Sequence, residues 1–133
     1  MKFIYDNTQK TGNLEKHGID LSVIYGFGFD QAMTLLDTRH HYCTNRFIAL
    51  GTIENRLHVV ALTVNENAIR IISLRIANLL EIKFSKIYSH HLSKEEDAVI
   101  TRSALADSNN QPLTDSEVSG MKPMKVMLPH LFN

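Results

Sequence analysis

Histidine and arginine side chains suited to phosphate chemistry recur through the first two thirds of this sequence. They are His17, Arg39, His40, His41, Arg46, Arg70 and Arg75. Histidine exchanges protons near neutral pH, and arginine neutralises the charge that develops on phosphorus oxygens during cleavage. Together these side chains could bind a phosphodiester and cleave RNA without a metal ion.

Simpler roles are open to the same side chains. An arginine in a sheet commonly forms a local ion pair. The adjacent residues His40 and His41 could instead bind a metal, but neighbouring residues of a strand point to opposite faces, and no His or Cys lies nearby at helical ligand spacing. We therefore predict neither a metal nor another cofactor.

A three-stranded antiparallel meander is predicted to position most of the arginines. Its strands are three short apolar runs rich in β-branched residues, Phe47–Gly51, Leu57–Thr63 and Ala68–Ser73. The breaks between them are short enough for hairpins and too short for a crossover. Arg46 precedes the first strand, Arg56 opens the second, Arg70 lies within the third and Arg75 follows it.

Two strands and two helical stretches are predicted before the meander. Lys2–Tyr5 favours a strand, Asp6 can cap the helix that Gly18 ends, and Asp20 can cap a second helical stretch. Met33–Leu36 is predicted to form the second strand. The polar loop at residues 37–46 follows it, and loops held by a sheet commonly carry chemistry.

Helices and a modular tail are predicted after the sheet. Asn78–Tyr88 has an apolar face, Ser93 opens a helix, and residues 107–112 form a short, flexible polar linker before a helix start at Thr114. The apolar stretch Met121–Phe132 needs a surface to cover. We expect this tail to dock on its own chain or on a second copy, and an exchanged tail would give a homodimer.

Composition limits the other possibilities. A chain of 133 residues with 44% hydrophobic content can bury one core. Its 14 basic and 14 acidic residues give a net charge of zero, so it does not bind nucleic acid by bulk charge. The single cysteine, Cys43, excludes an intramolecular disulfide. Without a secretory signal or an apolar run of membrane length, we expect a cytoplasmic protein that does not enter the membrane.

Several motifs resemble the BrnT family of bacterial ribonuclease toxins. They are Tyr5-Asp6, Lys16-His17-Gly18, Asp37-x-Arg39-His40, Arg46-Phe47 and Arg70-Ile71-Ile72-Ser73-x-Arg75-x-Ala77 followed by Glu81. The resemblance implies an α+β, RelE-like fold, an antiparallel sheet with N-terminal helices and a C-terminal helix, to which this chain adds a helical tail. It also implies metal-independent RNA cleavage and a separate antitoxin, BrnA.

The resemblance also suggests roles for individual residues. The catalytic candidates are His17, His40, Arg46, Arg70 and Arg75, and the substrate-binding candidates are Lys16, Arg39, Arg56 and Glu81. Four short motifs after residue 90 resemble the toxin-embracing, N-terminal part of BrnA: Glu95-Glu96-Asp97-Ala98, Ala104-Leu105-Ala106-Asp107, Pro112-Leu113-Thr114-Asp115 and Met121-Lys122-Pro123. We therefore divide the chain into a toxin-like domain, residues 1–90, and an antitoxin-like tail, residues 91–133. The antitoxin's ribbon-helix-helix region, which binds DNA, has no counterpart in this chain.

Departures from the family pattern leave two hypotheses. Thr44-Asn45 replaces an acidic pair, Gln9 replaces a lysine, and Ile76, Leu80 and Ile82 stand where cations are expected. Fewer cations weaken phosphate binding. The chain is therefore either an endoribonuclease toxin held in check by its own tail, or a catalytically decayed toxin that acts as a protein-binding or dimerisation module.

Overall fold

The computed structural model describes residues 1–40, 44–66, 68–85 and 92–132. The strands are β1 (Lys2–Ile4), β2 (Met33–Leu36), β3 (Arg46–Ile53), β4 (Arg56–Asn65), β5 (Ala68–Ile76) and β6 (Lys122–Pro123). The α-helices are α1 (Asn7–His17), α2 (Leu79–Phe84), α3 (Lys94–Leu105), α4 (Asp115–Ser119) and α5 (Met124–Met127). Three short 3₁₀ helices lie at Leu21–Gly26, Phe29–Gln31 and Pro129–Phe132. The fold is of the α+β class, as predicted.

A six-stranded sheet forms the centre of the molecule, in the order β1-β5-β4-β3-β2-β6. The predicted meander is confirmed, because β3, β4 and β5 are consecutive antiparallel neighbours joined by short turns. The expectation of a wholly antiparallel sheet is wrong at one edge, where β1 pairs with β5 in parallel. These two strands are separated by more than 60 residues, so no hairpin constrains their direction.

Capping residues mark the helix ends much as the sequence indicated. Asp6 and Gln9 form a capping box at the start of α1, and Gly18 ends that helix with a φ of 68°. The helical stretch after Asp20 is 3₁₀ rather than α, and it ends at Gly26. The helix expected over Asn78–Tyr88 ends earlier, at Phe84, where Ser85 turns extended; Tyr88 lies outside the described residues.

Both faces of the sheet carry a hydrophobic core, and the tail contributes to each. On one face, Met124 and Leu128 pack with residues of β5 and of the 3₁₀ segments. On the other face, Leu113, Val118 and Met121 pack against β3, β4 and α2. Within the described part of the chain, no helix is long and apolar enough to cross a membrane.

The prediction of a flexible linker at residues 107–112 is wrong, because this segment is packed against the rest of the chain. Asp107 and Asn110 are buried, with 2% and 0% of their surfaces exposed. The sequence suggested a linker because these residues are polar, but their side chains bind polar groups of the sheet and of α1, which the sequence pattern does not reveal.

Candidate functional site

Three arginines of the sheet, Arg46, Arg70 and Arg75, lie on one face because of a β-bulge. Thr63 of β4 lies opposite Arg46 on one side and Arg70 on the other, while Val59 lies opposite Arg75. Since Val59 and Thr63 point to the same face of β4, their partners do too. Arg70 and Arg75 are five positions apart, an odd offset, and would point to opposite faces of a regular strand. The register shift between Ala61 and Leu62 places them on the same face.

Helix α1 is fixed against the free edge of β5 by Asn13. Its side-chain amide donates to the carbonyl of Leu74 and its side-chain oxygen accepts from the Leu74 N–H, both at 2.8 Å. This pairing imitates a strand neighbour beyond the end of β1. It places His17, in the last turn of α1, next to the arginine-bearing face.

The side chain of His17 is buried against the tail, with 1% of its surface exposed. Its Nε2 lies 2.7 Å from an Oδ2 oxygen of Asp107, and its Nδ1 lies 3.3 Å from the Oγ of Ser103. The same Asp107 oxygen accepts a 2.7 Å hydrogen bond from Ser73 of β5. A single tail carboxylate therefore joins the helix and the sheet at the centre of the site.

The environment of Asp107 keeps this carboxylate ionised. Burial alone would raise its pKa, but hydrogen bonds from His17, Ser73 and the Asn109 N–H, together with the charge of His17, outweigh burial and lower the pKa to about 2. Lys16 adds a more distant cation, with its Nζ 4.0 Å from Oδ1. The aspartate thus supplies a fixed negative charge where a basic pocket would bind an anion.

The guanidinium of Arg75 is buried and fully hydrogen-bonded. It forms a bidentate pair with Glu81, at 2.8 and 2.7 Å, and also donates to the carbonyl of Ile76. Its Nε donates to the carbonyl of Asn110 at 2.9 Å, and Nη2 donates to that of Gln111 at 3.2 Å. All five N–H groups of Arg75 therefore have acceptors.

Glu81 and Asn110 complete the attachment of the tail. Glu81 accepts the N–H of Leu113 at 2.9 Å in addition to its bonds with Arg75, and it caps α2 through the N–H of Asn78. Asn110 donates its side-chain amide to the Val59 carbonyl at 3.0 Å. The tail segment of residues 107–113 is held through both its side chains and its backbone.

Two further arginines reach the same segment from the loop side. Arg46 donates to the Oδ1 of Asn109 at 2.8 Å. Arg39 is clamped by Asp37 and donates to the carbonyl of Gln111 at 3.1 Å. The 107–113 segment therefore contacts six of the nine candidate residues that the sequence suggested, namely Lys16, His17, Arg39, Arg46, Arg75 and Glu81.

The other three candidates lie beside or away from this segment. Arg70 and Arg46 line one cleft of about 430 Å³. His40 and Arg46 line a neighbouring cleft of about 320 Å³. Arg56 lies at the opposite end of the sheet, where its Nη2 is 3.5 Å from Glu96 of α3. The structure thus gathers eight candidates around one region and separates Arg56 from them.

Sequence reasoning did not select four residues that build the site: Asn13, Ser73, Asp107 and Asn110. Ser73 lies within one of the motifs that resemble the family and Asn13 lies between two of them, but neither residue type suggests phosphate chemistry. Asp107 carried a usable signal, because an Asp side chain often closes a turn by accepting the backbone N–H two residues further on, and its Oδ1 does accept the Asn109 N–H at 3.0 Å. Within the described residues, no group of three or more His, Cys, Asp or Glu is placed to hold a metal ion.

The family comparison covers the part of the chain that contains every candidate. The model of the family described as "Ribonuclease toxin, BrnT, of type II toxin-antitoxin system" matches residues 5–81, which is more than half of the 133 residues. The match stops before the tail begins. A comparison with curated proteins finds none that matches. Through residues 5–81, the chain belongs to the BrnT family of ribonuclease toxins of type II toxin-antitoxin systems.

Proposed function

We propose that residues 1–90 are an RNA-cleaving toxin domain that works without a metal ion, and that residues 91–133 are a fused, antitoxin-like tail that blocks it. The observation that carries this proposal is the position of the 107–113 segment, which occupies the hydrogen-bond donors of His17, Arg46 and Arg75. Membership of the BrnT family supports RNA as the substrate and an antitoxin as the partner.

The blocking segment offers the same kind of groups that a bound RNA strand would offer. Asp107 supplies an anionic oxygen, while the carbonyls of Asn110 and Gln111 supply neutral acceptors. Phosphate oxygens and ribose oxygens are acceptors of the same two kinds, and guanidinium groups bind both. RNA and the 107–113 segment would therefore compete for one set of donors.

Release of the segment would free the groups that metal-independent cleavage needs. Arg46 and Arg70 lie on one face of the sheet and would hold the scissile phosphate and stabilise its transition-state charge. His17 or His40 would move protons between the attacking ribose hydroxyl and the leaving oxygen. His17 can take that role only after Asp107 leaves its Nε2.

A second function is favoured by the state of Arg75. Glu81, which belongs to the toxin-like domain, holds both terminal nitrogens of this guanidinium, so this pairing needs no group of the tail. An arginine so fully paired contributes to the fold more directly than to phosphate binding. The alternative is therefore a decayed toxin that acts as a protein-binding or dimerisation module.

A charge-reversal experiment on the full chain tests between the two functions. Asp107→Lys and Asn109→Lys together place ammonium groups against His17 and Arg46, and repulsion should displace the segment. The assay is cleavage of a fluorescently labelled single-stranded RNA in EDTA. We expect cleavage by the double variant and little or none by the unmodified chain.

The matched control is the double variant Ser108→Lys and Asp115→Lys, which makes the same charge change at exposed positions of the tail. It should remain inactive. Adding Arg46→Ala or Arg70→Ala to the released variant should reduce cleavage by about 10²-fold or more, as expected for removal of a transition-state donor. If the released variant stays folded by circular dichroism and cleaves no RNA, the binding-module function is the correct one.

We also propose that the chain is a homodimer. The tail is joined to the toxin-like domain by a short connection, so the same docking surface can be filled by its own tail or by that of a second copy. Light scattering across a concentration range measures this directly. A monomer mass at every concentration would exclude the dimer.

A further inference from the structure

One buried carboxylate of the tail is surrounded by donors that the toxin-like domain supplies. Oδ2 of Asp107 lies 2.7 Å from the Nε2 of His17 and accepts a 2.7 Å hydrogen bond from the Oγ of Ser73. The Nζ of Lys16 lies 4.0 Å from Oδ1. Only 2% of the Asp107 side chain is exposed. Donors from the end of α1 and from β5 therefore converge on one anion.

Both ring nitrogens of His17 face acceptors, so this side chain can carry a positive charge. Nε2 faces the carboxylate, and Nδ1 lies 3.3 Å from the Oγ of Ser103. That hydroxyl donates its own hydrogen to the carbonyl of Ile100 at 3.0 Å, so it is free to accept from Nδ1. An imidazolium, an ammonium and a hydroxyl together suit a phosphate oxygen better than a neutral ligand.

The toxin-like domain positions these donors with groups other than the carboxylate. Asn13, one turn before His17 in α1, pairs with both backbone groups of Leu74 at 2.8 Å. Ser73 is held in β5 by its pairing with Ala61 of β4. The donors should therefore keep their places when the anion between them is exchanged, as a preorganised binding site requires.

Space for a larger anion lies directly beside Asp107. A cleft of about 180 Å³ is bounded by Lys16, Ser73 and Asp107 and, further along α1, by Thr8 and Gln9. A phosphate group is tetrahedral and has two more oxygens than a carboxylate, so it needs room outside the plane of the carboxyl group. The cleft supplies that room, and its hydroxyl and amide groups would meet the ribose that follows the phosphate.

We propose that the Asp107 carboxylate occupies a subsite for a backbone phosphate of RNA, formed by Lys16, His17 and Ser73. This inference rests on the proposed function, in which RNA is the substrate and residues 107–113 block the site. It adds Ser73 to the substrate-binding residues and identifies Asp107 as the group of the tail that replaces the phosphate. The tail and RNA then exchange one anion for another at this subsite.

The test removes the carboxylate from the full chain and offers an anion in solution. Asp107→Ala is titrated with inorganic phosphate by calorimetry, and sodium chloride keeps the ionic strength constant. We expect phosphate to bind this variant at least about tenfold more tightly than the unmodified chain, in which the subsite is filled. Asp115→Ala is the matched control because it removes an exposed carboxylate of the tail, and it should bind phosphate no better than the unmodified chain.

A second variant covers the case in which Asp107→Ala does not fold. Asp107→Ser also removes the carboxylate, but its hydroxyl can still accept the Asn109 N–H and close the same turn. It should bind phosphate in the same way. If both variants fold and neither binds phosphate more tightly than the unmodified chain does, the proposal is wrong.

Further substitutions assign the bound phosphate to the subsite. In the Asp107→Ala background, Ser73→Ala and Lys16→Met should each weaken phosphate binding about tenfold, because each removes one donor to the anion. Ser119→Ala and Lys94→Met are the matched controls at exposed positions and should leave the affinity unchanged. An affinity that depends on neither Ser73 nor Lys16 would mean an adventitious ion only and would overturn the proposal.

A dinucleotide distinguishes a phosphate of a nucleic-acid strand from free phosphate. The probe is a deoxydinucleotide with a single phosphodiester, which this type of cleavage cannot cut because it has no 2′-hydroxyl. We expect it to bind Asp107→Ala, to bind more weakly when Ser73→Ala is added, and to be displaced by inorganic phosphate. Binding of inorganic phosphate without binding of the dinucleotide would assign the subsite to a free phosphate and refute the assignment to RNA.

These binding measurements can fail separately from the proposed function, because none of them depends on cleavage. A chain that binds both probes at the subsite but cleaves no RNA after charge reversal supports the subsite and refutes the nuclease. Cleavage by the charge-reversed variant, together with no binding of either probe by Asp107→Ala, refutes the subsite alone.

Discussion

Neutralising Asp107 should loosen the tail by an amount that follows from its pKa. The pKa falls from the ordinary value of 3.8 to about 2 in the folded chain. At 1.36 kcal/mol for each pH unit, the ionised carboxylate stabilises the folded state by about 2.4 kcal/mol at neutral pH. Asp107→Asn keeps the shape and one acceptor oxygen but removes this charge. We expect the free energy of unfolding to fall by about 2.4 kcal/mol at pH 6, measured by urea denaturation.

The pH dependence of the free energy of unfolding tests the same prediction in a second way. A carboxyl whose pKa is lowered on folding stabilises the protein above its unfolded pKa, and this stabilisation is lost as the pH falls through the folded pKa. For Asp107 the stabilisation is nearly complete at pH 6 and declines to about 1.3 kcal/mol at pH 3. The difference between the unmodified chain and Asp107→Asn should therefore shrink by nearly half over this range.

Hydrogen exchange locates the effect. If the 107–113 segment opens locally, removal of about 2.4 kcal/mol raises its open population about 60-fold. The backbone N–H of Asn110, which donates to the Asp107 carbonyl at 3.1 Å, should lose protection accordingly. Asp115→Asn is the matched control, because that carboxylate is exposed, and it should change stability by less than about 1 kcal/mol. Equal urea midpoints for Asp107→Asn and the unmodified chain at pH 6 would refute the reasoning.

Two further predictions concern the backbone of the sheet. Gly51→Ala should destabilise the chain by about 1–3 kcal/mol, since the added Cβ would lie 2.5 Å from the buried ring of Phe27. Gly12→Ala, whose Cβ would have nothing within 4 Å, should be neutral or stabilising. Urea denaturation of both variants checks this. Replacing Glu54 and Asn55, which have φ values of 48° and 65°, by Asn and Gly should relieve the hairpin turn by about 1 kcal/mol and raise the melting temperature, and an unchanged melting temperature would contradict this.

The sequence predicted the local structure well because local signals determine it. Alternating β-branched runs with short polar breaks specified β3, β4 and β5, and their pairing follows from the lengths of the two hairpins. The capping boxes at Ser93 and Thr114 were recognisable because their hydrogen bonds join residues three positions apart. Elements of this kind need no knowledge of the rest of the chain.

The geometry of the candidate site depended on features that no local pattern reveals. The alternation of side chains along a regular strand would place Arg70 and Arg75 on opposite faces. The bulge at Ile72 places them on the same face. The polar residues after α3 indicated a solvated linker, because polarity alone does not distinguish a loop in water from one that satisfies buried partners. Asp107 could be identified as part of the site only once α1 and β5 were in place.

The tail of this chain cannot be both removable and part of the core. Leu113, Val118, Met121, Met124 and Leu128 are all buried, and β6 pairs with β2. At about 1.5–3 kcal/mol for each large side chain, their loss approaches the entire stability of a typical domain. Residues 1–90 expressed alone should therefore aggregate, and their failure to cleave RNA would say nothing about the site. If the toxin domain is released at all, the release must be local: residues 107–113 leave the basic pocket while the flanking apolar groups stay packed.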